Sequence, residues 1–269
     1  MIIGNHLFDL EKKSYIMGIL NVTPDSFSDG GKFQSVDVAL AQAERMVKEG
    51  ATIIDIGGES TRPGHEKISD DEEISRVVPV IEAVKKELDV AISLDTYKYP
   101  VAEAGIAAGA DMINDIWGLK WDERLASLIA RTGVACCLMH NRKKAEYEDF
   151  LQGFCEDMEE TIALAMKAGI SRDKIMLDPG VGFGKTFEHN LSIMKHLEIM
   201  QKFEYPFLLG TSRKSMIGNA LSLPVDQREE GTVATTVIGR MKGASVFRVH
   251  DVEKNIRALR MADAILEAE

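Results

Sequence analysis

Short apolar runs alternate with longer amphipathic stretches along the whole chain. Eight runs are almost continuously apolar and too short for stable helices, which is typical of strands buried on both faces. They lie at 15–20, 52–57, 91–95, 112–116, 134–140, 174–178, 206–210 and 245–250. Amphipathic stretches with apolar residues three and four positions apart lie between or after them, at 36–50, 69–88, 148–169 and 252–268. We therefore predict that strands and helices alternate.

Residues at the ends of two amphipathic stretches support this prediction. The stretch 36–50 ends on Gly50. This position favours a helix end, because glycine readily adopts the left-handed conformation that ends many helices. The stretch 69–88 begins with Ser69, a preferred N-cap residue, and its first turn is acidic. Negative charge at that end interacts favourably with the helix dipole. Both stretches are therefore predicted to be helices.

The alternation predicts the fold class. Eight strands separated by helices in about 250 residues indicate a (β/α)₈ barrel, which we expect to form a single domain over 1–269. A doubly wound open sheet, which has the same rhythm with fewer strands, is the alternative. The opening 1–10 contains a Gly4-Asn5 turn and is predicted to form a short hairpin at the floor of the barrel.

Composition and charge narrow the function. The 269 residues are 45% hydrophobic, and 43 acidic against 32 basic residues give a net charge of −11, which argues against nucleic-acid binding. No leader-like segment or long apolar span stands out, so we expect neither secretion nor a membrane. The three cysteines lack CxxC spacing, which indicates reduced thiols in a cytoplasmic protein. The first two, Cys136 and Cys137, are predicted core residues.

Polar side chains stand at or near the ends of the predicted strands. They are Asn21, Asp55, Asp95, Asn114, His140, Asp178, Ser212, Arg213, Lys214, Arg248 and His250. In a barrel these positions converge on one mouth, where active sites lie. Turn formation and helix capping explain any single Asn, Asp or Ser. They do not explain the arginine, lysine and histidine, so we predict a binding site.

The residue types predict two kinds of ligand group. Buried Asp95, Asn114 and Asp178 suit a flat, neutral, nitrogen-rich heterocycle with alternating donors and acceptors. The cations follow the seventh and eighth strands, where barrels often hold phosphate. Arg248 can grip phosphate oxygens with a fork of donors, and His250 can add another. We therefore expect a heterocycle joined to a phosphate group.

A P-loop-like run in the chain does not predict a nucleotide site. In 179–186 the first glycine of the P-loop pattern would fall on Pro179, which has no N–H to offer a phosphate. Its glycines are expected to allow a tight loop that leaves Phe183 exposed over the barrel mouth. No ATP site is therefore predicted.

Five separate motifs give the chain a close resemblance to the dihydropteroate synthase family. They are NVTPDSFSDGG (21–31), DIGGESTRPG (55–64), DPGVGFGK (178–185), GTSRKS (210–215) and RVHDV (248–252). The resemblance covers nearly the whole chain. It implies a folate-pathway transferase and sulfonamide target that joins 6-hydroxymethyl-7,8-dihydropterin pyrophosphate to p-aminobenzoate and releases pyrophosphate. It also implies a homodimer.

The resemblance assigns roles to residues in these motifs. The implied pterin-binding residues are Asp95, Asn114, Asp178 and Lys214. The implied pyrophosphate-binding residues are Asn21, Thr61, Arg248 and His250. The implied p-aminobenzoate-binding residues are Phe27, Pro63, Phe183 and Ser215. The implied catalytic residues are Asp29, Arg62, Lys214, Arg248 and His250. Together they predict a pocket for both substrates.

The resemblance also implies Mg²⁺, with Asn21 and Asp29 as its protein ligands. Oxygen ligands suit this ion, which readily bridges phosphates. Asn21 ends a strand, whereas Asp29 lies in a loop that Gly30 and Gly31 allow to move. When that loop closes, Phe27 is expected to cover the aromatic substrate and exclude water.

Two other readings stay open. One is a corrinoid-type pterin methyltransferase domain, which has no use for Phe27, the 212–215 stretch or the pair Arg248 and His250. The other is a pterin-binding paralogue without catalysis, which should have lost loop residues that are present here.

The charged stretch 141–149 matches no family motif and is predicted to be a variable surface loop. His140, which precedes it, is therefore left out of the predicted site.

Overall fold

The computed structural model describes residues 1–22, 32–59 and 67–268, with 32–34 described by their backbone only. Its strands are β1 Ile2–Ile3, β2 His6–Leu7, β3 Tyr15–Asn21, β4 Ile53–Gly57, β5 Ala91–Asp95, β6 Met112–Asp115, β7 Ala135–Met139, β8 Ile175–Asp178, β9 Leu208–Leu209 and β10 Val246–Val249. Its α-helices are α1 Lys32–Glu49, α2 Asp70–Glu87, α3 Tyr99–Ala108, α4 Glu123–Thr132, α5 Phe150–Lys167, α6 Phe187–Lys195, α7 Ser215–Leu221, α8 Glu229–Met241 and α9 Val252–Leu266. Short 3₁₀ helices lie at Arg172–Lys174, Leu197–Phe203 and Val225–Gln227.

Eight parallel strands form one sheet that curls into an almost closed barrel. The strand order is β8-β7-β6-β5-β4-β3-β10-β9. The two ends of this order meet, because Leu177 forms a parallel bridge with Phe207 and its amide donates to Pro206 O at 3.0 Å. The predicted (β/α)₈ barrel is confirmed, and the open-sheet alternative is wrong.

Two apolar layers explain why the strands are continuously hydrophobic. Alternate residues of a strand point to opposite faces, and each face of this sheet is covered. In β7, Cys136 packs outward among the helices, whereas Cys137 packs into the barrel interior. Both cysteines are fully buried, as predicted. The strands are therefore held from both sides, which fixes the position of every side chain at their ends.

The opening hairpin packs against the barrel floor. Strands β1 and β2 pair antiparallel, and Gly4 turns between them with φ +58°. Ile3, Phe8 and Leu10 join an apolar cluster with inward-facing residues from the first halves of the barrel strands, such as Met17 and Met112. The predicted hairpin is confirmed, and the opposite end of the barrel is left as the mouth.

The helix caps follow the sequence signals. The Ser69 side chain accepts a hydrogen bond from Glu72 N at 3.2 Å, and the helix it caps has four acidic residues in its first turn. Gly50 follows α1 with φ +116°. None of the helices that the structure describes is long and apolar enough to cross a membrane.

Arg240 ties the last two helices to the chain that follows the hairpin. Its buried guanidinium donates Nε to Asp263 Oδ1 at 2.5 Å and Nη2 to Lys12 O at 2.8 Å. Ser14 Oγ donates to the second oxygen of the same carboxylate at 2.6 Å. One buried ion pair therefore joins α8, α9 and the approach to β3.

We expect Arg240→Met to lower the free energy of unfolding by about 3 kcal/mol, because breaking a buried pair leaves a carboxylate without its partner. Urea denaturation of the two proteins measures this difference. Arg257→Met is the matched control, since Arg257 pairs with Glu253 on the exposed face of α9. That exposed pair is expected to contribute less than about 1 kcal/mol. Equal losses in both variants would contradict the structural role of Arg240.

Candidate active site at the barrel mouth

The mouth is lined by polar side chains that the strands carry into register. Asp95 at the end of β5 pairs in register with Asn114 of β6. Asp55 lies inside β4, two residues before its end, opposite Ile19 of β3. All three polar side chains are at least 96% buried. The barrel thus holds two carboxyl groups and an amide deep in its mouth.

Arg248 is bound by both of these carboxyl groups. Its Nε donates to Asp55 Oδ2 at 2.6 Å, and its Nη2 donates to Asp95 Oδ2 at 2.7 Å. Asn114 Nδ2 donates to the same Asp55 oxygen at 3.2 Å. Arg248 was predicted to grip phosphate, and the structure places its guanidinium among the residues predicted to hold the heterocycle. It therefore connects the two halves of the predicted site.

Burial sets the charge state of this cluster. Burial raises the pKa of Asp95 to about 7, although Arg248 opposes this change. Burial also acts to lower the pKa of Arg248, but Asp55 and Asp95 outweigh it, so the pKa of Arg248 is raised. The guanidinium stays charged and offsets the two carboxyl groups.

Two buried oxygens of the cluster lack a hydrogen-bond partner within the described part of the chain: Asp55 Oδ1 and Asp95 Oδ1. A buried acceptor without a partner costs free energy. Such atoms are satisfied when a ligand brings N–H groups to them. The arrangement thus fits a flat ligand rich in N–H donors.

Asp178 and Lys214 form the opposite wall of the mouth. Asp178 Oδ1 accepts a hydrogen bond from Gly180 N at 2.7 Å, and burial raises the pKa of Asp178. Lys214 Nζ donates to Val181 O and lies 4.0 Å from the centre of the Phe183 ring. Phe183 is half-buried rather than exposed, because it packs against a small apolar cluster at the mouth. Burial lowers the pKa of Lys214 to about 8, with Asp178 opposing this change. The wall offers a carboxyl group, an amine and an aromatic ring.

The loops after β9 and β10 meet through His250. Its Nδ1 lies 2.8 Å from Ser212 Oγ, which also accepts a hydrogen bond from His250 N at 3.2 Å. Arg213, predicted with them at the mouth, instead lies 3.6 Å from Glu229 on α8. Ser215, predicted to frame p-aminobenzoate, is exposed at the start of α7. The two residues predicted to bind the anion, Arg248 and His250, thus lie within and directly after β10.

Asn21 lies at the end of β3 beside the carboxyl cluster. A Cβ atom on Gly57 would lie 3.8 Å from both Asn21 Oδ1 and Asp95 Oδ2. Within the described ranges, no group of three or more His, Cys, Asp or Glu residues could hold a metal ion. Mg²⁺ usually keeps several waters and takes one or two protein oxygens together with substrate phosphates. One amide oxygen at the mouth fits that mode.

Five predicted site residues lie outside the described residues. They are Phe27, Asp29, Thr61, Arg62 and Pro63. Their assigned roles stay predictions.

The sequence reasoning missed a second buried cluster at the mouth. Lys98 Nζ lies 2.7 Å from Glu59 Oε2 and 2.8 Å from Glu73 Oε2, and Tyr97 OH donates to Glu59 Oε1 at 2.8 Å. Its signals in the sequence were the position of Tyr97 and Lys98 soon after a predicted strand and the position of Glu59 within the motif 55–64. The cluster fixes the chain on one side of the segment 60–66.

Comparison with known proteins identifies relatives along nearly the whole chain. The family model described as "Pterin binding enzyme" matches residues 17–250. The dihydropteroate synthase of Clostridium beijerinckii is 57% identical over 267 residues, which cover 99% of this chain and 99% of the relative. That of Bacillus subtilis is 53% identical over 256 residues, which cover 95% and 90%.

Solved structures give the same result. The dihydropteroate synthase of Clostridium difficile, determined in the presence of pteroic acid, has a TM-score of 0.95 and 50% identity, covering 97% of this chain and all of that one. The Xanthomonas albilineans enzyme with 4-aminobenzoic acid has a TM-score of 0.94 and 38% identity, covering 99% and 98%.

Proposed function

Because the chain belongs to the dihydropteroate synthase family of pterin-binding enzymes, we propose that it condenses 6-hydroxymethyl-7,8-dihydropterin pyrophosphate with p-aminobenzoate. The observation that carries the pterin half is the buried cluster of Asp55, Asp95, Asn114 and Arg248. Two of its carboxylate oxygens lack partners among the described residues, and the pterin ring supplies N–H donors for them. Asp178 and Lys214 complete the pocket on the other side.

The reaction is a substitution at the methylene carbon attached to the pterin ring. The bond between this carbon and the pyrophosphate oxygen breaks, and a bond to the amine nitrogen of p-aminobenzoate forms. Pyrophosphate takes the bonding electron pair, and the amine nitrogen loses a proton to the released pyrophosphate or to water. This nitrogen is already nucleophilic, so the residues need only position it and stabilise charge.

The charged residues divide that task. Arg248 and His250 donate to the departing pyrophosphate. Asn21 lies at the end of the neighbouring strand β3. Asp95 and Asp178 offset positive charge that develops on the pterin when the leaving group departs first. Phe183 lies against Lys214 and frames the p-aminobenzoate pocket. Catalysis then rests on electrostatic stabilisation on both sides of the breaking bond.

Mg²⁺, when bound with the pyrophosphate, supplies positive charge to the leaving group. Asn21 Oδ1 is the described side-chain oxygen that would hold it, and Asp29 is the second proposed ligand. We also propose a homodimer, which exposed apolar side chains on α7, α8 and the turn between them support. They are Leu221, Val225, Ile238 and Met241. Sedimentation analysis of the purified protein tests this proposal.

The defining experiment follows pyrophosphate release by the purified protein with the pterin pyrophosphate and Mg²⁺, with and without p-aminobenzoate. We expect release coupled to formation of 7,8-dihydropteroate. Pterin binding without any product would instead support the non-catalytic paralogue. Slow release without p-aminobenzoate would support departure of pyrophosphate before amine attack, whereas strict dependence on the amine would contradict that order.

The pH dependence of pterin binding follows from two buried groups of opposite charge. Asp95 is ionised above its pKa of about 7, and Lys214 is protonated below its pKa of about 8. We therefore expect the affinity for 6-hydroxymethyl-7,8-dihydropterin to be greatest between about pH 7 and pH 8. Titration calorimetry measures it. Lys214→Arg, whose guanidinium keeps its proton, should remove only the alkaline decrease. An unchanged alkaline decrease in that variant would show that another group titrates.

A further inference from the structure

The segment 179–184, here called the Phe183 segment, is held by the lysine that follows it. Lys185 Nζ donates to Gly180 O at 2.9 Å and to Phe183 O at 3.1 Å. Both carbonyls belong to irregular backbone between β8 and α6. Gly180 O also accepts a backbone hydrogen bond from Phe183 N at 3.1 Å, which forms a turn. The ammonium group therefore binds both ends of this turn and helps to fix the backbone of Phe183.

Two further side chains fix carbonyls of the same segment. Lys214 Nζ donates to Val181 O, and Tyr147 OH donates to Gly184 O at 2.8 Å. The segment also packs closely against Arg142, because a Cβ atom on Gly184 would lie 2.5 Å from Arg142 N. The position of Phe183 thus depends on side-chain donors outside its own segment as well as on the hydrogen bond from its own N–H.

His140 supplies the third acceptor of Lys185. The distance from Lys185 Nζ to His140 Nδ1 is 2.7 Å, and His140 Nε2 lies 2.9 Å from Asp157 Oδ2. Three acceptors match the three protons of an ammonium group, which assigns the Nε2–H tautomer to a neutral His140. Burial lowers the pKa of His140 to about 4, and Lys185 adds to this effect, in agreement with the neutral ring. His140 is 1% exposed.

Arg142 and Asp157 anchor this chain of contacts. Arg142 donates Nε to Asp157 Oδ2 at 2.5 Å and Nη2 to Asp157 Oδ1 at 3.1 Å, and it lies 4.2 Å from the centre of the Tyr147 ring. Burial acts to raise the pKa of Asp157, but hydrogen bonds from His140 and Arg142 outweigh burial and lower this pKa. The charged stretch 141–149, predicted as a variable surface loop, thus has residues that support the Phe183 segment.

The geometry points to Lys185, held by His140, as a positioning residue for p-aminobenzoate binding. It fixes the backbone carbonyls on which the place of the Phe183 ring depends, and that ring lies against Lys214 at the mouth. Lys185 does not touch the substrates in this role; it acts through Phe183. The inference rests on the proposed function, because that function places p-aminobenzoate beside Phe183.

The test compares 7,8-dihydropteroate, which carries p-aminobenzoate on the pterin methylene carbon, with 6-hydroxymethyl-7,8-dihydropterin, which carries a hydroxyl group there. The ratio of their dissociation constants reports binding of the p-aminobenzoate group. For Lys185→Met we expect the dissociation constant of 7,8-dihydropteroate, divided by that of the pterin, to rise by about tenfold or more. The KM for p-aminobenzoate should rise by a similar factor, whereas the pterin alone binds within about threefold of wild type. Measurements below pH 7 keep Lys185 in its ammonium form, because burial lowers its pKa to about 7.

Two other variants control for loss of stability. Lys242→Met removes a lysine that donates to Lys195 O at 2.8 Å on another part of the barrel, and it should leave the ratio unchanged. Lys185→Gln keeps a polar group in the cluster but is too short to reach both carbonyls. It should change the ratio in the same direction as Lys185→Met. It replaces the methionine variant in the test if that variant does not fold.

A double-variant cycle with Phe183→Ala separates positioning from general damage. If Lys185 acts through Phe183, Lys185→Met has no further effect on the ratio once the ring is absent. A full additional effect in that background, or an unchanged ratio in both Lys185 variants, overturns the inference. A wild-type protein that binds 7,8-dihydropteroate but forms none refutes the proposed function, and the binding ratios still decide the role of Lys185.

Discussion

Replacing Arg248 by alanine is expected to lower kcat/KM by about 10³-fold or more, since a single donor to a developing charge is often worth about 10²–10³-fold. Arg248 has a second effect, because its guanidinium offsets the buried Asp55 and Asp95. Removing it leaves two carboxyl groups in the barrel with no cation between them. We therefore also expect a loss of about 3–5 kcal/mol in the free energy of unfolding.

Two further variants separate these effects. Arg248→Lys keeps the positive charge but loses the planar fork that contacts two carboxylates, so it should recover stability while activity stays at least about 10²-fold below wild type. Combining Arg248→Ala with Asp55→Asn removes one of the unpaired charges and should restore part of the stability and none of the activity. Steady-state kinetics and urea denaturation give both quantities. An Arg248→Ala variant with near wild-type kcat/KM would contradict the proposed role.

The barrel could be predicted from the sequence because its strands are buried on both faces. Short apolar runs such as 174–178, which alternate with helices along the chain, are typical of strands in a parallel sheet that is covered on both faces. Chain order then sets strand order, since consecutive strands joined by helices become parallel neighbours. The run 206–210 shows the limit, because only Leu208–Leu209 pair as a strand there.

The partners of the site residues could not be predicted in the same way. The contact between Arg248 and Asp55 joins residues 193 positions apart. It depends on β10 and β4 both pairing with β3, in the register that sets Arg248 opposite Met17 and Asp55 opposite Ile19. Arg248 was therefore assigned to pyrophosphate binding and catalysis, and its contacts with two carboxyl groups were not predicted.

Lys185 and His140 were missed for another reason. Lys185 lies in a run that resembles a P-loop, and excluding a nucleotide site left that lysine without a role. His140 ends a strand and precedes a stretch with no family motif. Nothing in the sequence indicates a contact between them, and only the fold brings Lys185 Nζ within 2.7 Å of His140 Nδ1. Pairing between loops depends on backbone conformations that local sequence patterns do not specify.

Replacing Asp178 by asparagine is expected to weaken binding of 6-hydroxymethyl-7,8-dihydropterin by about 10²–10³-fold, because a buried carboxylate that accepts from N–H groups is replaced by a group that also donates. The asparagine oxygen would keep the hydrogen bond from Gly180 N, which holds the loop in wild type at 2.7 Å. Its amide N–H groups would then face the N–H donors of the pterin. Titration calorimetry measures the affinity.

Asp115→Asn is the matched control for this variant. Asp115 is also a buried aspartate, at the end of β6, and burial raises its pKa to about 6. Its carboxylate accepts from the backbone N–H groups of Trp117 and Leu119 and so holds its own loop. Asp115→Asn should lower stability while pterin affinity stays within about threefold of wild type. Similar losses of affinity in both variants would show that burying an amide, rather than losing a pterin contact, causes the effect.

The kinetics of Asp178→Asn then test how the reaction proceeds. If Asp178 only binds the pterin, the KM for the pterin substrate rises and kcat is unchanged, because the ground state and the transition state lose the same interaction. If pyrophosphate departs before the amine attacks, the pterin carries positive charge in the transition state, and the carboxylate stabilises that state more than the ground state. We therefore expect kcat to fall as well. An unchanged kcat at saturating pterin substrate would remove Asp178 from charge stabilisation and leave its binding role intact.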